Sequence, residues 1–266
     1  IDEGNLENRD FGFYRLGPLK LIGDGSLGAH TAWMRTPYIN EPDTRGKANM
    51  CDEEIYQLCS LAHRSGMQIA IHCIGDAALQ QALDTFKRIE EEYPRKNCRH
   101  GIVHCQIMDK LQQECFQSQN LLAYVQPVFL RSDMNIVDAC TNLGSQSYNW
   151  RRFLDLGVHM SGGSDCPVEP FTIMPNLAYA VTRTNPDSGR SWYPENAVTL
   201  QEAIKMFTYE GAYTSFAEKE RGTLYIGNKA DLVVLEKDVF TQPKETLQTI
   251  QVILTMVEGK IVYQKE

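Results

Sequence analysis

The chain has 266 residues, of which 42% are hydrophobic and 23% are charged, and its formal net charge is -8 at pH 7. This composition is typical of a globular protein with enough residues for one large core. No apolar run approaches the roughly 20 residues that cross a bilayer. No basic stripe offsets the acidity, so we expect neither a membrane nor a nucleic acid as partner.

The eight cysteines are scattered along the chain and form no CxxC pair or zinc-finger spacing. A chain of this length needs no disulfides to fold, so we expect reduced thiols and a cytoplasmic location. The polar opening stretch IDEGNLENRDFG begins without methionine. We therefore expect the chain to be the interior of a longer protein or to have a trimmed start.

Short apolar segments alternate with amphipathic ones over the first 163 residues. They predict strands at 18–23, 68–73, 100–105, 121–127 and 158–163, and helices at 51–66, 75–93 and 108–119. Strands with little internal alternation, separated by helices, predict a parallel sheet that is covered on both faces. An α/β barrel and a doubly wound sheet both fit this order.

The pattern changes in the last hundred residues. Thr199 and Glu202 carry a capping-box signature that predicts one helix continuing through Phe216. Two β-rich stretches with glycine turns follow this helix. We therefore divide the chain into a strand–helix domain, residues 1–220, and strands of a small β domain, residues 221–266.

Polar residues stand at the ends of three predicted strands: His72, His104 and Asp165. In a barrel the carboxyl ends of the strands meet at one rim, so these side chains are expected to converge. Two imidazoles and a carboxylate are suitable ligands for zinc or a similar divalent ion. Each residue alone has a structural explanation, but their joint occurrence favours a metal site. His63, in the middle of a predicted helix, is expected at the surface or its boundary.

Several segments in order resemble the metal-dependent amidohydrolase superfamily. Within it they are similar to amidohydrolase family 3, which includes N-substituted formamide deformylases. The resemblance covers nearly the whole chain and rests on KLIGDGSLGAHTA, PY at 37–38, HCIGDAAL, the strand ending in His104, QP at 126–127, SGGSDCPVEP and GTLYIGNKADLVVLE.

The resemblance implies a metal site with one or two divalent ions, expected to be zinc, at the mouth of a (β/α)8 barrel. The superfamily's fifth- and sixth-strand histidines correspond to His72 and His104. Its eighth-strand aspartate, a metal ligand that also accepts the proton of the attacking water, corresponds to Asp165. Lys20 matches the fourth-strand lysine that is often carboxylated and bridges two metals; the alternative is an ordinary lysine in a salt bridge.

The resemblance also implies the reaction and its substrate. Asp24 and Gly25 resemble the family's loop beside the substrate, while Asp76 resembles a buried residue that steadies the loop after His72. The activity implied is hydrolysis of a small-molecule amide or formamide, at a C–N bond other than a peptide bond, by a metal-activated water. Asp165 would pass the water's proton to the leaving amine.

The sequence departs from the family in several places. It contains no His-x-His pair, which the family carries on its first strand, and its five strands match the fourth to eighth. Val103 stands where glutamate is usual, and His30 where arginine is common. We therefore expect the C-terminal part of a TIM-type (β/α)8 barrel, strands 4–8, plus part of a small β-sandwich domain.

An incomplete barrel has consequences for assembly and activity. We expect a homo-oligomer, or association through the exposed barrel edge, because open sheet edges and apolar surfaces pair with other chains. We also expect weakened metal binding and an isolated chain that is inactive.

Two rival interpretations remain at the level of sequence. One is a catalytically inactive barrel domain that binds a small molecule or a protein partner. The other, a doubly wound nucleotide-binding protein, is disfavoured because neither GDGSLG nor SGGSD matches a GxGxxG motif or a P-loop.

Overall fold

The computed structural model describes residues 14–266 and divides them into two compact units. The first unit comprises the described residues up to Tyr124 together with Asp133–His159, and the second comprises Val125–Ser132 with Met160–Glu266. The polar opening stretch, which begins the predicted first domain, lies outside the described residues. The predicted boundary after residue 220 stays a prediction.

The strands form a parallel sheet in their order along the chain. They are β1 (Leu19–Ile22), β2 (Ile69–Cys73), β3 (Gly101–His104), β4 (Leu122–Val125) and β5 (Met160–Gly162). The pairs β1–β2, β2–β3 and β3–β4 are parallel. Each strand lies within a predicted one, which confirms an α/β fold with a parallel five-stranded sheet. That the sheet belongs to the C-terminal part of a barrel stays a prediction.

The two faces of the sheet differ in burial within the first unit. On β2, Ile69 and Ile71 are fully buried on one face. On the other face His72 is half-buried and Ile22, its partner in register on β1, is 48% exposed. Successive residues of a strand point to opposite faces, and the alternating exposure along β1 marks one face of the sheet as partly open at this strand. The expectation that both faces are covered is therefore wrong for β1.

The helices predicted in the first unit are all present, and a side chain caps the start of the third. The predicted helices appear as α1 (Asp52–Arg64), α2 (Asp76–Glu92) and α3 (Lys110–Ser118). The N-cap Asp109 of α3 accepts a hydrogen bond from the backbone N–H of Gln112 at 2.9 Å. Neither α4 (Leu130–Cys140) nor α5 (Trp150–Asp155) was predicted.

The second unit contains three helices and an antiparallel sheet. The helices are α6 (Met174–Thr182), α7 (Leu200–Met206) and α8 (Tyr209–Thr214), and the strands are β6 (Leu232–Leu235), β7 (Val252–Val257) and β8 (Lys260–Gln264). All three strands fall in the predicted β-rich stretches, 222–236 and 251–263, except that β8 ends one residue later. The sandwich itself stays a prediction.

The capping box is confirmed, but the single helix predicted after it is wrong. The Thr199 hydroxyl accepts the N–H of Glu202, whose carboxylate accepts the N–H of Thr199. The helix stops at Met206 and α8 starts three residues later. At the break the hydroxyl of Thr208 donates to the carbonyl of Ile204 at 2.8 Å, a local bond that competes with regular helix.

A helix that spans a membrane must be both long and apolar. None of the helices within residues 14–266 is long and apolar enough to span a bilayer.

Candidate functional site

A buried carboxylate organises the loop after β1. Asp24 is 1% exposed, and its side chain accepts backbone hydrogen bonds from Trp33 at 2.9 Å, Ile74 at 3.0 Å and Gly75 at 2.8 Å. Burying a carboxylate is costly unless hydrogen bonds replace its water shell, and these three donors do so. Asp24 thereby ties its own loop to the turn between β2 and α2.

The close approach of these segments depends on a glycine. Gly75 is the N-cap of α2, and a Cβ atom there would lie 2.0 Å from the carbonyl oxygen of Trp33. That oxygen accepts the N–H groups of Ala77 and Ala78, at 3.1 and 3.3 Å. Because the colliding atoms belong to the backbone, only glycine lets the loop reach the first turn of α2.

The same loop fixes the proton on His72. The Nε2 atom of His72 lies 3.0 Å from the carbonyl oxygen of Gly25 and 3.3 Å from Oδ1 of Asp24. Both neighbours are acceptors, so Nε2 carries the hydrogen and donates it. The lone pair of the neutral ring is therefore on Nδ1, which has no hydrogen-bond partner within residues 14–266. Carboxylate and carbonyl groups orient metal-binding histidines in this way.

His104 lies beside His72. The ring centroids are 4.4 Å apart, with the rings nearly perpendicular at 76°. His104 is in register with Cys73, whose side chain points to the opposite sheet face from that of His72. The backbone of His104 is left-handed, with φ of 80°, as is that of Cys105 with φ of 52°. Because of this unusual conformation, the regular alternation of side-chain directions along β3 ends at His104, and its ring lies beside that of His72.

Two cysteines next to these histidines are not in a form that binds metal. Burial raises the pKa of the Cys73 and Cys105 thiols far above neutral pH. Both thiols also donate to backbone carbonyl groups, those of Ala78 and Ile102. Metals bind the thiolate, so these two protonated cysteines are poor ligands, and metal ligation by His72 and His104 stays a prediction.

For the other two predicted ligands, Lys20 and Asp165, the structure gives the position in the fold. Lys20 is exposed, lies opposite Ala70 in register, and therefore shares the sheet face of His72. Asp165 belongs to the second unit, where it is exposed in the turn after β5 with φ of 56°. Metal ligation by Lys20 and Asp165 stays a prediction.

The loop residues make contacts that were not foreseen from the sequence. The carboxylate of Asp24 faces backbone N–H groups and His72, and the carbonyl of Gly25 holds the imidazole, while substrate contact by either residue stays a prediction. Asp76 accepts two hydrogen bonds from Arg35, from its backbone N–H and from Nε, both at 2.9 Å. It therefore anchors the loop that carries Trp33.

A second group of possible ligands was missed by the sequence analysis. The donor atoms of His63, Cys98 and His100 lie within 4.8 Å of one another. His63 is 2% exposed, so the expectation that it lies at the surface is wrong. The residues share no motif, and only the packing of α1 against the start of β3 brings them together.

Hydrogen bonds occupy all four nitrogens of these two imidazoles. The backbone N–H of Ile69 donates to Nδ1 of His100 at 3.0 Å, so His100 carries its hydrogen on Nε2. That hydrogen faces Nδ1 of His63 at 2.9 Å, and Nε2 of His63 donates to the carbonyl of Tyr93 at 2.7 Å. A metal at Nε2 of His100 would have to displace this proton while Ile69 still donates to Nδ1. The cluster is thus a chain of neutral hydrogen bonds that disfavours a cation.

The chain is similar to several known proteins. A sequence model described as "Amidohydrolase family" matches residues 7–263. YtcJ of Bacillus subtilis (strain 168) is 31% identical over 268 residues, and the match covers 98% of this chain and 49% of YtcJ. The N-substituted formamide deformylase of Arthrobacter pascens is 25% identical over 215 residues, covering 80% of this chain and 39% of that enzyme.

A solved structure has a similar fold. It is described as an uncharacterized metal-dependent hydrolase from Pyrococcus horikoshii OT3, with a TM-score of 0.79 and 28% identity. The similarity covers 91% of this chain and 49% of the other. This chain therefore spans half or less of each of these three proteins.

The role of Asp24 is tested by Asp24→Asn. The amide has one acceptor oxygen and presents N–H groups to backbone donors, so we expect a loss of about 1–3 kcal/mol in the free energy of unfolding, measured with urea. Asp43→Asn, an exposed carboxylate in the same unit, is the matched control and is expected to change stability by less than about 0.5 kcal/mol. Equal stabilities for the two variants would contradict the role.

The buried histidine chain predicts a pH dependence. Burial lowers the pKa of His100 from 6.5 to about 3, and burial also lowers the pKa of His63. Between about pH 6.5 and about pH 3, the His100 imidazole is protonated in the unfolded chain but not in the folded one. The contribution of His100 to stability is therefore fully present above pH 6.5 and decreases with falling pH, by up to about 1.4 kcal/mol per pH unit.

Urea unfolding of the wild type and His100→Asn measures this effect. The slope of unfolding free energy against pH is expected to be smaller in His100→Asn between pH 5 and pH 6 than in the wild type. The same slope in both proteins would show that His100 is not held neutral by the fold.

Proposed function

The chain belongs to the amidohydrolase family, and we propose that it forms part of a metal-dependent hydrolase acting on C–N bonds other than peptide bonds. The observation that carries this proposal is the histidine pair on the open sheet face. His72 has its hydrogen fixed on Nε2 by Gly25 and Asp24, which leaves the lone pair on Nδ1, and the ring of His104 lies 4.4 Å away between centroids. A neutral imidazole in this state can bind a divalent metal.

The proposed metal ligands are His72, His104, Asp165 and Lys20, with Lys20 in carboxylated form. When bound, a divalent ion lowers the pKa of a coordinated water and polarises a substrate carbonyl. Zinc suits imidazole and carboxylate ligands, so we propose zinc, as one or two ions.

The chain's own residues have separate tasks in the proposed reaction. The exposed Asp165 carboxylate accepts a proton from the attacking water and returns it to the leaving amine. The loop with Asp24 and Gly25 is proposed to lie beside the substrate. Within this loop the Asp24 carboxylate orients His72 rather than reacting.

The proposed substrate is a small-molecule amide, with N-substituted formamides first. The similarity to the formamide deformylase of Arthrobacter pascens supports this choice. The chain contains no His-x-His pair. This absence would favour the alternative, a domain that binds a small molecule or a protein partner without catalysis, only if the natural protein also lacks the pair.

The proposal is tested by zinc content and formate release. After zinc loading and desalting, we expect about one equivalent of zinc per chain by mass spectrometry. His72→Ala should lower the zinc content, whereas Cys98→Ser, in the other histidine cluster, should leave it unchanged. If the zinc-loaded protein releases formate from an N-substituted formamide, Asp165→Asn should lower kcat by about 10²–10⁴.

The outcomes separate the alternatives. Hydrolysis of an amide would exclude the purely binding domain, whereas zinc binding without hydrolysis is expected both of that domain and of an isolated, inactive part of a hydrolase. Zinc retained in His72→Ala but lost in Cys98→Ser would move the metal site to the second cluster and contradict the proposal.

A further inference from the structure

A small pocket lies within the second unit. It has a volume of about 180 Å³ and is lined by Val128, Arg131, Glu169, Tyr179 and Asp187, among others. All of its lining residues belong to this unit. The volume equals that of about six water molecules, so the pocket fits one end of a ligand rather than a drug-sized molecule.

The pocket contains a buried hydroxyl without a partner. Tyr179, on α6, is 2% exposed, and its hydroxyl has no hydrogen-bond partner within residues 14–266. Burying such a group unpaired costs free energy, and its presence in a native structure requires an explanation. Tyr179 lines the pocket together with Arg131, Glu169 and Asp187, so the unpaired hydroxyl belongs to a residue of the pocket wall.

The charges in the pocket favour a cation. Arg131 and Asp187 are 4.0 Å apart and mostly exposed, so they offset each other. Glu169 is half-buried and makes no hydrogen bond or ion pair within the described part of the chain. One negative charge and two acceptors, the Glu169 carboxylate and the Tyr179 oxygen, thus remain for a ligand. A group with a positive charge and N–H donors matches them.

The pocket follows Asp165 closely along the chain. The backbone N–H of Val168 donates to the carbonyl of Asp165 at 2.9 Å, and this turn leads directly to Glu169. Three prolines and Val128 add apolar walls that alkyl carbons can contact. Asp165, the proposed proton donor to the leaving amine, is therefore only four residues along the chain from Glu169, a carboxylate of the pocket.

We propose that this pocket is a subsite for a protonated aliphatic amine, the amine part released from the substrate. This inference rests on the proposed function, because hydrolysis of an N-substituted amide produces such an amine. The ammonium group donates to the Glu169 carboxylate and to the Tyr179 oxygen, and its alkyl chain lies against the prolines.

The test is an NMR titration of the purified chain with three probes of similar size: propylammonium, propionate and 1-propanol. We expect propylammonium alone to shift the amide signals of residues 169–179. Glu169→Gln should raise its Kd about tenfold or more, and Tyr179→Phe about threefold to tenfold. Glu195→Gln, an exposed carboxylate in the same unit, should leave the Kd unchanged. Melting temperatures of the variants confirm that they fold.

Two results would overturn the subsite. Tighter binding of propionate, lost in Arg131→Gln, would make the pocket a carboxylate site. Absence of binding by all three probes up to their solubility would remove the site. Because the titration needs neither metal nor hydrolysis, its failure leaves the hydrolase proposal standing, and inactivity toward amides leaves a measured amine site standing.

Discussion

The buried carboxylate of Asp24 is the interaction on which the site depends. It accepts N–H groups from three residues in two segments and lies next to His72. Two of its donors, Ile74 and Gly75, precede the first turn of the 17-residue helix α2, where the helix dipole also favours a negative charge. One side chain thus fixes the loop after β1, the start of α2 and the orientation of an imidazole.

The two histidine pairs of the first unit differ in their hydrogen bonds. In the pair His63 and His100 every nitrogen has a partner, in an order that leaves both rings neutral and shields them from a cation. In His72 only Nε2 is engaged, and Nδ1 keeps its lone pair. By the distances between ligand atoms alone, His63 and His100 would be chosen as the metal site. The positions of the ring hydrogens favour His72 and His104 instead. This difference, rather than the number of nearby ligand atoms, supports the proposed metal centre.

Much of the sheet was predictable because apolar runs bounded by polar residues mark buried parallel strands. The adjacency of His72 and His104 followed from the rule that parallel strands end at one edge. The break at Thr208 was not predictable, since the capping box marks only where a helix begins. The hydrogen bond between His63 and His100 was also not predicted, because it depends on packing between residues 37 positions apart. The contacts of Asp24 were not predictable either, because they depend on how the loop after β1 folds.

The most direct test of this account is the tautomer of His72, measured by two-bond ¹H–¹⁵N correlation NMR before and after addition of zinc. We expect the hydrogen of His72 on Nε2 and a zinc-dependent shift of its Nδ1, while the signals of His63 and His100 stay in place. A hydrogen on Nδ1 of His72, or a zinc response confined to His63 and His100, would contradict it.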